Sequence, residues 1–332
     1  MAAREGIKLV DRDEAGVDRA FRADVLAGLG QAQKAVPARW FYDDAGSRLF
    51  EDITGLDEYY PTRAETEILE TNGAAVAAAI GPGRAVVEFG SGSSVKTPLL
   101  LSAIAPSAYV PLDIAGDCLR DAASALAQRF AGLPVYPVEA DFMRHVALPE
   151  NVAALPKLGF FPGSTIGNMV PRTAVDLLRS MRGTLQADHG VQPMLLIGMD
   201  LVKDPAVLIA AYDDARGVTA AFNLNLAQRI NRELGGTIPL GALSHVARWD
   251  DDLARIEMHL QATRAFVFEV SGETFAMQAG ETIHTENSHK FTRRSANLLL
   301  AASGWTPRAR WLDSGERFAL ILAEATAPRN AP

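Results

Sequence analysis

Ala85-Val86-Val87-Glu88-Phe89-Gly90-Ser91-Gly92-Ser93-Ser94 is the stretch that decides the fold. Its first five residues, apolar except Glu88, make a run of buried-strand type, and the glycines at 90 and 92 break it into a turn. An apolar helical stretch over 96–104 follows. Downstream, strand-like runs at 109–114, 135–140, 158–161 and 194–199 alternate with helical patterns at 117–130 and 172–185. Strands alternating with helices predict an α/β fold built on a doubly wound, mostly parallel sheet. Ligands of such sheets sit at the carboxyl ends of the strands. The runs at 305–312 and 318–323, separated by Asp313-Ser314-Gly315, read as a terminal antiparallel hairpin.

The alternation stops at Asp204-Pro205, which reads as an N-cap with proline in the first helical turn. Residues 205–295 hold helical patterns at 206–214 and 219–234, then strand-like runs at 255–262 and 265–270. Residues 1–80 are mainly helical, and Thr62 and Glu65 have capping-box spacing. The predicted organisation is a core of 81–204 with 296–332, a smaller substrate-binding insertion at 205–295, and an N-terminal segment, 1–80, that contributes to the smaller domain.

The 332 residues include 48% hydrophobic and 22% charged, ordinary for a soluble globular chain. A net charge of -8 without any Lys/Arg block excludes a nucleic-acid partner as the main one. Cys118 is the single cysteine, so no intrachain disulfide and no cysteine-built metal site can form. The stretch from Met1 to Gly16 lacks the apolar core of a signal peptide, and no run approaches a bilayer span. A cytoplasmic monomer with no membrane partner is expected.

The turn at 88–94 is neither G-x-G-x-x-G, since Val95 holds the third glycine position, nor a P-loop before Lys96-Thr97. Its glycines let backbone amides approach a ligand closely, although any doubly wound sheet needs tight βα turns, so a structural role stays open. Asp113 ends the second strand, where a carboxylate can accept from ribose hydroxyls. In Glu139-Ala140-Asp141-Phe142, Asp141 can accept from an adenine amino group and Phe142 can pack on the ring. Helix capping is the alternative for each Asp. Strand ends of this kind in series, with a terminal hairpin, favour S-adenosyl-L-methionine over a nicotinamide dinucleotide, because no second phosphate-binding glycine loop follows. Glu88, Gly90, Ser91, Gly92, Lys96, Asp113, Asp141 and Phe142 are the expected cofactor residues.

Further stretches carry a resemblance: Phe41-Tyr42-Asp43-Asp44-Ala45-Gly46-Ser47, Tyr59-Tyr60-Pro61-Thr62-Arg63, Glu88-Phe89-Gly90-Ser91-Gly92 and Gly163-Ser164-Thr165-Ile166-Gly167-Asn168. To these add Asp200-Leu201-Val202-Lys203-Asp204, Ala211-Tyr212-Asp213-Asp214, Arg255-Ile256-Glu257-Met258 and Thr285-Glu286-Asn287-Ser288-His289-Lys290-Phe291. Together, and in this order, they resemble the histidine Nα-methyltransferases of ergothioneine biosynthesis, from about residue 38 onward. The resemblance implies a class I S-adenosylmethionine methyltransferase fold, L-histidine as the substrate and trimethylation to hercynine. It places the amino group and carboxylate near Tyr42, Asn168 and Tyr212, with Tyr42 and Asn168 as the catalytic pair. It places the imidazole near Tyr59, Glu286 and Ser288, with Met258 lining the same pocket. The residue types suit these tasks: Asn168 both donates and accepts, and Tyr212 donates without adding charge.

By themselves Tyr42 and Tyr59 could be interface aromatics, Tyr212 a solvated helix end and Met258 core filling. An Nα-methyltransferase for another amino acid such as tryptophan, or a silent S-adenosylmethionine-binding module, are the rival readings. Glu286 counts against the first, and the joint presence of Asn168, Tyr212 and Glu286 against the second. His284, Glu286 and His289 invite a metal, but the His-x-Glu pattern of zinc deaminases requires Pro-Cys-x-x-Cys. No metal is expected. Asn287 stands where some relatives carry a small apolar residue, and strand alternation would turn it away from Glu286.

Overall fold

The computed structural model describes residues 13, 16–92, 96–114, 116–186 and 191–326. It divides into two compact units, one of residues 61–202 with 290–332 and one of residues 1–60 with 203–289. Ser93, Ser94 and Val95 of the turn, and most of the charged N-terminal stretch, lie outside the described residues. No described helix is long and apolar enough to cross a membrane.

The chain opens with α1 (Arg19–Leu29), the short strand β1 (Lys34–Ala35) and α2 (Asp44–Thr54). Asp18 caps α1 by accepting from the amides of Ala20 and Phe21, and Asp43 caps α2 through the Gly46 amide. The larger unit begins at α3 (Pro61–Ile80), whose buried side chains include Ala64, Glu65, Ile68, Leu69 and Val76. Helix α3 packs on elements of the larger unit, so the unit boundary falls at 60/61 rather than at residue 80.

There follow β2 (Ala85–Phe89), α4 (Thr97–Ile104), β3 (Ala108–Asp113), α5 (Gly116–Arg129), β4 (Val138–Glu139), α6 (Glu150–Ala153), β5 (Lys157–Phe161), α7 (Pro171–Leu185) and β6 (Met194–Asp200). After the second unit the chain returns as α10 (Arg293–Ala302), β12 (Trp305–Leu312) and β13 (Phe318–Ala325). The sheet order is β12-β13-β6-β5-β2-β3-β4, parallel except for β13, which runs antiparallel to β6 and β12. This is the class I methyltransferase arrangement. Its central strands are near-continuous apolar runs because both faces are covered. Val87, Phe89, Val110, Leu112, Phe161, Leu195 and Ile197 are all at most 1% exposed. Winding reverses between β2 and β5, which opens a crevice at the carboxyl ends of these strands. Strand β4 is much shorter than the run at 135–140 suggests. Pro134 and Pro137 remove amide donors there, and Val135 keeps only one isolated bridge to Tyr109.

The second unit continues with α8 (Pro205–Ala210), α9 (Val218–Leu234), β7 (Leu243–Asp250), β8 (Arg255–Ala262), β9 (Phe266–Val270), β10 (Glu273–Met277) and β11 (Thr282–His289). Asp204 caps α8 as its sequence suggests. That helix stops at Ala210, short of 214, because Asp214 instead accepts from the amides of Val218 and Thr219 at the start of α9. Four strands form a sheet in the order β1-β11-β8-β7, antiparallel apart from β1, while β9 and β10 form a separate hairpin. In β8, Ile256, Met258 and Leu260 alternate with Glu257, His259 and Gln261, so the sheet has one apolar and one polar face.

Candidate functional site

In the larger unit, the glycine turn folds back over the end of β3. Gly90 has φ +74°, and a Cβ there would stand 3.4 Å from the Phe142 ring, so ring and backbone are in close apposition. The amides of Gly90 and Ser91 donate to the Leu112 carbonyl, and the Gly92 amide donates to Asp113 Oδ2 at 3.1 Å. Phe142 meets Phe89 and Phe161 edge-on, and Asp141 accepts from the Met143 amide through Oδ1. Gly90, Ser91, Gly92, Asp113 and Phe142 thus form one rim.

Glu88 lies beneath that rim, wholly buried. Thr97 Oγ1 stands 2.8 Å from each of its oxygens, and Tyr109 donates to it at 2.6 Å. Burial pushes its carboxyl up to about 7, even though Tyr109, Thr97 and Lys96 draw it down. Lys96 donates to Glu65 Oε2 at 2.6 Å, and the Gly163 amide donates to the same oxygen at 2.8 Å. Glu65 therefore does not complete the capping box that its spacing with Thr62 suggests. It joins α3, the far side of the glycine turn and the loop that carries Asn168. In that loop Ser164 adopts φ +56°, uncommon for a residue with a side chain, and its hydroxyl accepts from the Asp200 amide. Asp200 in turn pairs with Lys290 at 2.9 Å, both buried. Asn168 ends the following short helical turn, half-buried.

In the second unit, a register irregularity between His284 and Glu286 controls β11. His284 pairs with His259, whereas Glu286 pairs with Met258, which leaves Thr285 as an extra residue. Unbroken alternation would put Glu286 on the face of His284. The bulge moves it to the other face, with Met258, Ile256 and Ser288. Asn287, opposite Glu257, points the other way. Met258 is 1% exposed and lies as a floor beside Glu286, and the Tyr212 hydroxyl shares a 2.7 Å hydrogen bond with Ser288.

Aromatic rings continue this arrangement. Tyr42 meets Phe50 and Phe222 edge-on at 5.5 and 5.8 Å, and Tyr59 meets Phe50 and Tyr212 at 6.3 Å. Asp43 fixes the chain beside Tyr42, since it caps α2 and accepts from Asn225 and Arg232. Tyr42 is 44% exposed, yet protein crowds it on its other sides. This crowding, then the nearby Glu286 carboxylate and the Tyr59 and Tyr212 phenols, raise its pKa well above that of free tyrosine. The Tyr42 phenol is therefore held in its neutral form. Tyr42, Tyr59, Tyr212, Met258, Glu286 and Ser288 come together in this unit. Phe50 and Phe222 belong with them, but apolar helix positions of this kind give no signal distinguishing a wall from a core.

His284, Glu286 and His289 form no common cluster. His284 stacks on His259, with ring centroids 4.6 Å apart and planes at 17°, beside Glu257 on the opposite face from Glu286. One nitrogen of each ring and a Glu257 oxygen lie within 4.8 Å of one another, and His259 Nε2 already shares a 3.0 Å hydrogen bond with Glu257 Oε2. Arg248 and Arg255 already pair with Glu257. Burial would raise the Glu257 carboxyl, but His259, Arg248 and Arg255 outweigh it and hold it at about 2. Burial lowers His259 to about 4.

Residues 21–325 match the family of S-adenosylmethionine-dependent, histidine-specific methyltransferases. The chain belongs to that family. It is 42% identical to the histidine N-alpha-methyltransferase of Mycolicibacterium smegmatis over 310 residues, which cover 92% of this chain and 94% of the relative. It is 41% identical, with the same coverage, to the protein of that name from Mycobacterium tuberculosis. It is also 24% identical to the L-tryptophan methyltransferase of Psilocybe serbica, across 95% of each chain.

The rim residues fit the cofactor that this methyltransferase family uses. Ser91 Oγ is buried with no partner among the described residues, a cost that a polar ligand at the turn would remove. Asp113 supplies a carboxylate suited to vicinal hydroxyls, and Phe142 an apolar ring surface. Lys96 differs from these, because its ammonium is taken up by Glu65. Its replacement should therefore affect folding first. Lys96→Met leaves Glu65 buried without its countercharge and should lower the unfolding free energy in urea by about 3–5 kcal/mol. Adding Glu65→Gln should recover most of that loss. A change below about 1 kcal/mol would mean that water screens the pair.

Proposed function

We propose that this methyltransferase transfers three methyl groups in turn to the α-amino nitrogen of L-histidine, giving hercynine. The observation that carries this reading is the β11 bulge, which sets Glu286 on one face with Ser288 and Met258 beside the tyrosines. Glu286 supplies a carboxylate acceptor for an imidazole N–H, and Ser288 a hydroxyl that can meet the other nitrogen. Tyr42 and Tyr212 donate to the substrate carboxylate, and Asn168, on the larger unit, offers an amide suited to an amine. Residues 1–60 with 203–289 act as the substrate-binding unit.

S-adenosylmethionine would supply an electrophilic methyl group. In each transfer an N–C bond forms as the sulfonium S–C bond breaks, one proton per cycle having left the substrate ammonium to free the attacking lone pair. The third transfer leaves a quaternary nitrogen. The protein must present an uncharged amine in line with that methyl group. A partly dry pocket favours the neutral amine, because desolvation penalises the ammonium. As methyl groups accumulate, the amine loses N–H donors, so the carboxylate and imidazole contacts increasingly hold the intermediates.

In the cofactor half, Asp113→Ala should weaken S-adenosylmethionine binding by about 1–3 kcal/mol, the cost of a lost charge-assisted hydrogen bond. Calorimetric titration with cofactor alone measures this, and unchanged affinity in a folded variant would move the ribose elsewhere. In the substrate half, wild type should release S-adenosylhomocysteine with histidine and hardly at all with phenylalanine, leucine or tryptophan. A site built to hydrogen-bond both imidazole nitrogens rejects phenylalanine and leucine, which have neither, by about 10⁴-fold, and tryptophan keeps one N–H but lacks the second nitrogen and is bulkier. Glu286→Ala, alone or with a smaller residue at Met258, should narrow that margin by losing histidine activity and admitting apolar side chains. A wild type that ignores histidine but methylates another amine would overturn the substrate assignment.

A further inference from the structure

The bulge that presents Glu286 has its own support. Thr285, the extra residue, is 2% exposed, and its hydroxyl lies 2.7 Å from Asn223 Oδ1 and 3.0 Å from the Met258 carbonyl. Asn223, on α9, is wholly buried, and its Nδ2 donates to the His259 carbonyl at 3.0 Å and to His245 Nδ1 at 2.8 Å. His245 Nε2 donates at 2.8 Å to the Tyr212 carbonyl.

The two ends of this chain of bonds fix its direction. A carbonyl can only accept, so His259 sets which way the Asn223 amide points, and Tyr212 requires the proton on His245 Nε2. His245 Nδ1 is then the acceptor that Asn223 needs, and the imidazole is neutral. Burial lowers its pKa, against the Tyr212 carbonyl and the carboxylates of Asp213 and Asp214. Every polar atom of the Asn223 amide has a partner, and no rotation of that amide keeps them all. Reversing it would set Oδ1 against the His259 carbonyl. A fully satisfied buried network of this kind specifies one geometry.

We propose that Thr285, Asn223 and His245 are positioning residues that act without touching substrate, Thr285 and Asn223 on its specificity and His245 on its general affinity. Thr285 and Asn223 pin the bulge and so the direction of Glu286, while Asn223 and His245 hold the Tyr212 backbone. This rests on the assignment of Glu286 to the imidazole and Tyr212 to the amino-acid end. Two separable defects follow. Loss of the Thr285 hydroxyl loosens the imidazole contact and lowers selectivity. Loss of the His245 bond displaces Tyr212 and raises the KM for every amino acid alike.

The test compares Thr285→Val, which keeps the shape and removes the hydroxyl, with Thr285→Ser, which keeps the hydroxyl. The readout is the ratio of kcat/KM for histidine to that for phenylalanine, with cofactor affinity from calorimetry and folding from urea denaturation. Thr285→Val should reduce the ratio by about tenfold or more, as small misplacements of a contacting group do, with unchanged cofactor affinity. Thr285→Ser should restore it. His245→Phe should raise the KM for histidine and leave the ratio near that of wild type. A purely structural role would lower the fraction folded without moving the ratio. A folded Thr285→Val with the wild-type ratio overturns the proposal, and so does Thr285→Ser failing to restore it. If Thr285→Val cannot be purified folded, Asn223→Ser and Asn223→Ala take its place, with the same loss of ratio expected and its persistence equally fatal. Should Glu286→Ala itself leave the ratio unchanged, the substrate assignment fails first, which separates the two outcomes.

Discussion

The carboxylate of Glu65 is the constraint on which the larger unit depends. A charge wholly removed from water must find partners, and this one finds the Lys96 ammonium and the Gly163 amide. Each partner belongs to a different functional segment. Lys96 closes the glycine turn, and Gly163 opens the loop that ends at Asn168. One buried group therefore fixes the distance between the rim suited to S-adenosylmethionine and the loop suited to an amine. Gly198 on β6 leaves room for it, since a Cβ there would come within 2.2 Å of Glu65 Oε1.

The second unit solves a different problem. An antiparallel sheet offers every second residue to a given face, and a histidine site needs an acceptor, a hydroxyl and apolar packing together. The bulge at Thr285 moves Glu286 onto the apolar face beside Met258, as the proposed site requires, and tyrosine and phenylalanine rings pack together in the same unit. The polar face holds Glu257, His259 and His284 in hydrogen bonds and ion pairs of their own, away from Glu286.

Much of the larger unit was legible because its signals are local. Continuous apolar runs ending in Gly90, Asp113 and the 163–168 segment mark strand ends, and the terminal hairpin is bounded by Asp313-Ser314-Gly315. What escaped depends on partners distant in sequence. Glu65 has capping-box spacing with Thr62, and only the fold brings Lys96 and Gly163 to it. Glu88 reads as a ligand carboxylate, while its oxygens are engaged by Thr97 and Tyr109. Periodicity cannot reveal a bulge either. The expectation that Asn287 faces away from Glu286 follows from simple alternation, but which face each takes depends on Thr285, whose role is set by Asn223, 62 positions earlier.

In the proposed reaction the acceptor atom is the α-nitrogen of histidine, because the imidazole is held by Glu286 and Ser288. The most direct measurement supplies the protein with S-adenosylmethionine and histidine labelled with ¹⁵N at all three nitrogens, then locates the methyl groups in the product by NMR. Three methyl groups on the α-nitrogen and none on the ring are expected. Methylation of a ring nitrogen, or no product from histidine at all, would contradict the proposed reaction.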